Sequence, residues 1–192
     1  MKKVLFLVMC AVFLFSWELK KDQNGIQVYT QDVKNSKYDA FKAVMSVKGI
    51  PFEKVKNTLL DFKNYPKWQK KIDKIEVKDG YVLKVLDFPF PLSNRFAFYK
   101  ISKNDQNGVF VLTMNSVPYN KLPEKIKKEF KKPDCVEMKD DVVFKAQKTK
   151  DGIKIIYQAE VDPNGAPAFI FNSKIISAGY ETLNNLRKVL KK

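Results

Sequence analysis

The chain contains no histidine. That excludes Ser-His-Asp and Cys-His nucleophiles and every imidazole-metal site. Cysteine is scarce too: only Cys10 and Cys135 are present. If the N-terminus is removed, Cys135 is left without a disulfide partner. A thiol with no histidine beside it is a poor nucleophile and reads as a small, half-buried residue. Arginine is almost absent, with Arg95 and Arg187 the two among 36 basic residues. Arginine is the side chain that base and phosphate recognition favours, so nucleic acid is not an expected partner. No apolar run approaches the roughly 20 residues of a membrane-spanning helix. Internal repeats, low-complexity tracts, interdomain linkers and paired-carboxylate motifs are missing as well.

What is present describes one folded domain. A chain of 192 residues with 45% apolar content and 15 phenylalanines can bury a sizeable core. The formal charge of +15 favours anionic partners, lipid headgroups among them. The lysines are spread over strand and helix faces, with one dense run at residues 121–132.

Residues 1–16 are laid out as a secretory signal. Lys2 and Lys3 precede an apolar stretch at 4–15, and the small Ser16 follows, although Leu14 suits a cleavage site poorly. The expected location is therefore periplasmic or otherwise exported, with an uncleaved anchor as the alternative. The mature domain then covers 17–192. Residues 17–22 read as a short amphipathic start. Residues 25–31 and 39–48 read as strands, with Phe41, Ala43, Met45 and Val47 on one face. Pro51 opens a helix reaching to about Phe62, and a second short helix begins around Tyr65-Pro66-Lys67-Trp68. Strands are then expected at 72–78, 80–88, 94–103, 108–117, 135–139, 141–148 and 152–162. Asp79-Gly80, Asn107-Gly108 and Asp151-Gly152 make the turns of an antiparallel meander. Leu122, Ile126 and Phe130 predict a small helix inserted within it.

The last stretch, 161–192, organises the rest. Asp162-Pro163-Asn164-Gly165 is a turn, and Pro167 suits the first turn of a long helix. Ile176, Gly179, Leu183, Leu186 and Leu190 share one helical face. The first half, with Phe169, Ile170 and Phe171, is apolar nearly all round and wants cover on more than one side. It either closes over something apolar or packs on a solid core. The element order predicts an α+β fold, a curved antiparallel sheet wrapped around a long C-terminal helix.

Four stretches carry a family resemblance. They are Trp17-Glu18-Leu19 with residues 25–30, the Tyr65-Pro66-Lys67-Trp68 segment, the turn Phe88-Pro89-Phe90-Pro91-Leu92-Ser93-Asn94-Arg95, and residues 162–172. In this order they resemble a bacterial, exported member of the START (steroidogenic-acute-regulatory-protein-related lipid transfer) domain family, a helix-grip fold. The chain departs from the family at Phe96, where aspartate is usual, and in its long basic segment at 121–132. The resemblance implies a cavity between sheet and C-terminal helix that holds one lipid or sterol-like molecule, with the helix as lid and no cofactor or metal. It implies Arg95 near the ligand's polar end, with Ala97 and Tyr99 on the same strand face. Trp68, Tyr157, Phe169, Ile176 and Tyr180 complete the implied lining. Arg95 paired with Asp87, and Trp68 as plain core, are the alternatives.

Three functions compete. A monomeric, non-enzymatic lipid carrier or sensor would touch anionic membranes transiently. An enzyme of the same fold, a cyclase or hydrolase, would need an inward proton-transfer group. An interaction module would fill its cavity with Phe98, Phe110 and Phe144.

Overall fold

The computed structural model describes residues 16–88 and 92–192. The segment read as an export signal lies outside the described residues except for Ser16, as do Cys10 and Pro89, Phe90 and Pro91 of the proline-rich turn. Three two-residue turns set the sheet. Asn24-Gly25, Asp79-Gly80 and Asn107-Gly108 all have positive φ at both positions, as the tightest hairpins demand. They join β1 (Glu18–Gln23) to β2 (Ile26–Gln31), β4 (Ile72–Lys78) to β5 (Tyr81–Leu86), and β6 (Arg95–Gln106) to β7 (Val109–Val117). The N-terminal segment expected to be merely amphipathic is thus a strand. β3 (Ala40–Val47), β8 (Val136–Glu137), β9 (Lys139–Thr149) and β10 (Gly152–Asp162) complete a ten-stranded sheet. Its order is β1-β2-β3-β10-β9-β7-β6-β5-β4. The two outermost pairings, β1 with β2 and β4 with β5, each carry a bulge, at Leu19/Lys21 and at Ile72/Lys74.

The expected strand at 135–139 differs. β8 is two residues long and runs parallel to β6, opposite Arg95 and Phe96. The reason is local: β7 leaves β6 at the Phe98–Val117 pair, and β8 pairs with the backbone that β7 no longer reaches.

The helices divide between the two faces of this sheet. α1 (Phe52–Leu60) and the 3-10 turn Phe62–Lys67, where a second helix was expected, bury Val55, Leu59, Phe62 and Tyr65 against the concave face. α3 (Ala168–Leu190) lies on the same side over β2, β3 and α1. Its buried stripe is Ile175, Gly179, Thr182, Leu183, Leu186 and Leu190. Gly179 allows the closest approach: a Cβ there would stand 3.0 Å from the Phe41 ring. On the convex face, α2 (Glu124–Glu129) is a single short helix. With Leu122, Ile126 and Phe130 it caps Leu83, Val85, Phe96 and Phe98 in a separate apolar cluster. This is the α+β helix-grip arrangement, with a second, smaller core behind the sheet.

Candidate functional site

Strand parity decides which side chains point to the concave face. On β5, Val82 and Lys84 point to the concave face while Leu83 and Val85 point to α2. On β6, Ala97 and Tyr99 face inward and Phe96 and Phe98 outward. On β9, Asp140 follows the parity of Val142, Phe144 and Ala146. The consequence is a charged pair inside the protein. Lys84 is 2% exposed and Asp140 4%. The Lys84 Nζ lies 3.0 Å from Asp140 Oδ2, and the Tyr99 hydroxyl donates to that same oxygen. The ammonium also sits 4.8 Å from the Tyr99 ring centroid. Withdrawing two charges from water costs several kcal/mol per ion before their attraction returns any of it. Burial first, and Asp140 second, push the Tyr99 phenol well above its ordinary pKa.

Beside this triad stands Tyr157 on β10, its hydroxyl accepting from Gln69 Nε2 at 3.2 Å. Burial, with Asp140 next in weight, raises this phenol's pKa as well. The Tyr157 ring stacks on Phe144 at 4.6 Å between centroids and meets Phe41 edge-on at 5.0 Å. Phe144 meets Trp68 at 5.6 Å, and Trp68 meets Tyr65 at 4.4 Å. A continuous row of rings therefore crosses the concave face. Two buried side-chain atoms beside the row, Trp68 Nε1 and Gln69 Oε1, have no hydrogen-bond partner among the described residues. Outside, an open groove of about 470 Å³ between α1, the 3-10 turn and the end of α3 has Trp68 in its wall, with Lys54, Asn57 and Lys67.

The eight residues implied by the resemblance are not all brought together. Trp68, Ala97, Tyr99 and Tyr157 share the concave core. Arg95 is buried on the same strand face but addresses backbone. Its Nε donates to Pro163 O at 2.6 Å, Nη2 to Asn164 O, and Nη1 to Ser93 O and Asn94 O. The ion pair with Asp87 does not form; Asp87 stands 3.9 Å from Lys71 instead. Arg95 thus pins the turn that leads into α3. Ile176 is half-buried against the core. Tyr180 faces the β1–β2 hairpin, where Asn24 donates to its hydroxyl at 2.8 Å and Lys21 lies over its ring. Phe169 points to solvent and is 79% exposed. Of the phenylalanines considered as filling, Phe110 and Phe144 face inward, while Phe98 belongs to the convex cluster.

Lys84, Asp140 and Gln69 were not anticipated. The signal for the first two was parity. Lys84 sits between Val82 and Leu86 at two-residue spacing, and Asp140 begins the series Val142, Phe144, Ala146. Gln69 carried no signal.

No protein-family model matches this chain. An uncharacterised protein of Pseudomonas aeruginosa is 27% identical over 184 residues, covering 92% of this chain and 87% of the relative. Among solved structures, a STAR-related lipid transfer protein from Xanthomonas axonopodis superposes with a TM-score of 0.76 at 23% identity, over 92% of this chain and 99% of that one. Human StAR-related lipid transfer protein 5 also superposes at 0.76, at 14% identity, over 91% and 86% of the two chains. The strand order, the terminal helix over the concave face and these superpositions agree: the chain has the START-like helix-grip fold.

Proposed function

We propose that this protein binds one apolar molecule, a lipid or sterol-like compound, between the concave sheet face and α3, and carries or senses it in the cell envelope. One observation carries the reading: a buried Lys84–Asp140–Tyr99 cluster on the concave face of the sheet, the side on which α3 lies. On the convex face, β5 and β6 pack Leu83, Val85, Phe96 and Phe98 beneath α2 with no buried ion pair among the described residues, so closing these strands does not require such a cluster. Apolar ligands are held by removal of their surface from water, worth about 25 cal/mol per Å², while a few fixed polar groups orient them.

The first turn of α3 supports a membrane step. Phe169 and Ile170 stand exposed there. Asn172 ties this turn to the β2–β3 loop through Lys37 O and Asp39 N, both at 3.2 Å. Lys34, Lys37 and Lys174 are exposed around it. An apolar tip ringed by lysine suits the interface of an anionic bilayer. Phe169→Ser is then expected to weaken sedimentation with phosphatidylglycerol vesicles.

The decisive experiment is mass spectrometry of an organic extract of the protein purified from its own envelope. One lipid class near one molecule per chain establishes the carrier and names its cargo. An empty protein that also refuses a panel of fluorescent lipids sinks the reading. A second reading, an enzyme of cyclase or hydrolase type, rests on Asp140 as an inward carboxylate. Its Oδ2 is already shared by Lys84 and Tyr99, which leaves it poorly placed as a base.

A further inference from the structure

The loop between β2 and β3 and the turn between β10 and α3 enclose a polar groove of about 510 Å³. Ser36, Lys37 and Tyr38 line one rim; Asp162, Asn164 and Gly165 line the other. The rims are fastened to each other. The buried Tyr38 donates its hydroxyl to Ala166 O at 2.9 Å, and Asn172 Nδ2 donates to Lys37 O at 3.2 Å. On the second rim, Arg95 holds Pro163 O and Asn164 O. A groove tied in this way is formed before anything enters it, which lowers the cost of binding.

Each rim brings one charge. The Lys37 ammonium lies over the Tyr38 ring, 5.2 Å from its centroid. Asp162 Oδ1 accepts from the Asn164 N–H at 2.8 Å, and Oδ2 has no protein partner among the described residues. Lys37 and Asp162 pair neither with each other nor with any other described residue. In water, hydration suffices for both. The chain, however, passes from Gly165 directly into the first turn of α3, where Phe169 and Ile170 stand exposed. When that turn enters a bilayer interface, the groove is carried into the headgroup layer and its water is displaced. Its charges then need partners there.

The two signs define the chemistry of that partner. An anionic headgroup meets Lys37 and is repelled by Asp162. A lone amine meets the reverse. A zwitterion with a phosphate and a primary ammonium on one short linker satisfies both rims through charge-assisted hydrogen bonds. Choline carries the same charges, but its trimethylated nitrogen has no N–H to donate. Building on the membrane step proposed above, we infer that this groove receives the headgroup of phosphatidylethanolamine. The phosphate accepts from Lys37, and the ammonium donates to Asp162 Oδ2. The groove is a docking subsite for a lipid of the target bilayer, apart from the concave face proposed for cargo.

The test is co-sedimentation with vesicles of equal phosphatidylglycerol content whose remaining lipid is either phosphatidylethanolamine or phosphatidylcholine. The protein is expected to bind the ethanolamine vesicles about fivefold more tightly. Asp162→Asn keeps an oxygen for the Asn164 N–H and removes the charge. It is expected to abolish the preference while binding choline vesicles no more weakly than the wild type. Lys37→Gln is expected to abolish the preference too, with weaker binding to both vesicles, and it decides the matter if Asp162→Asn disturbs the turn. Equal binding of the two vesicle types by the wild type overturns the groove and leaves the membrane step standing. So does an ethanolamine preference that survives in either variant, which looser packing of ethanolamine lipids then explains. Failure to bind either vesicle overturns the membrane step and the groove together, and leaves the cargo reading to the lipid extract.

Discussion

β5 and β6 have two faces built to opposite rules. Toward α2 they present Leu83, Val85, Phe96 and Phe98, and Ile126 of a six-residue helix with the flanking Leu122 and Phe130 is enough to close them. Toward the concave side the same strands present Lys84 and Tyr99, with Asp140 from β9 and Gln69 from the 3-10 turn completing a buried polar island. The backbone is shared, so the difference lies wholly in side-chain parity. The apolar face shows what stability alone asks of this sheet. The polar face carries buried charges, whose replacement by apolar side chains of the same volume is often neutral or stabilising.

The contrast is broken most severely by removing one charge. Asp140→Ala leaves the Lys84 ammonium buried without its counter-ion and is expected to cost about 3–5 kcal/mol in urea denaturation. Phe98→Ala on the other face is expected to cost a similar 3–5 kcal/mol through its cavity. The double change Lys84→Met with Asp140→Leu separates the faces. It should recover about wild-type stability yet alter what the protein extracts from its envelope. A double variant no more stable than Asp140→Ala would mean that the island is structural.

Alkali probes the same island. Tyr65, Tyr99 and Tyr157 all have phenols raised above the ordinary value of 10.0, chiefly by burial. Below pH 10 they are neutral in folded and unfolded chains alike, so their contribution is intact. Above it only the unfolded chain ionises them, and stability falls by about 1.4 kcal/mol per pH unit for each. Tyrosinate absorbance from these three should therefore appear together with unfolding, and Tyr99→Phe should lessen the slope. A smaller effect is expected at the helix contact. Gly179→Ala gains about 1 kcal/mol of helix propensity but presses a methyl against Phe41, leaving stability nearly unchanged. Gly179→Val overpacks and should cost about 1–3 kcal/mol. Last, Cys135 has its thiol pushed up chiefly by burial. It should alkylate more slowly than an exposed cysteine, with no change in melting temperature.

Much of this architecture was legible. Gly179, Leu183, Leu186 and Leu190 share the buried stripe that their spacing predicts, and Asp79-Gly80 and Asn107-Gly108 mark two hairpins; at the third expected turn the loop is Lys150-Asp151, and Gly152 already pairs with Thr149 as the first residue of β10. Asn24-Gly25 is the same signal, and weighing it would have turned the N-terminal segment into a strand. The site was less legible for two reasons. A lysine or aspartate within an alternating run reads as solvent-facing unless parity is followed strictly, and Lys84 and Asp140 obey parity. The partners of Arg95 depend on a turn more than sixty residues away, and no local pattern encodes that meeting. The orphaned atoms of Trp68 and Gln69 exist only once three separate segments have packed.

The bulges at the margins of the sheet bear on how the protein survives at high concentration. The sheet does not close into a barrel, so among the described residues β1 and β4 present open edges to solution. Leu19 and Val77 stand exposed on them, and straight, apolar edges of that kind pair with one another into aggregates. Here each edge is kinked, at Leu19/Lys21 and at Ile72/Lys74, and lined with Lys20, Lys21, Lys74 and Lys78. The charged side chains of these edges, two acidic and two basic on each strand, thus work with the bulges against self-association.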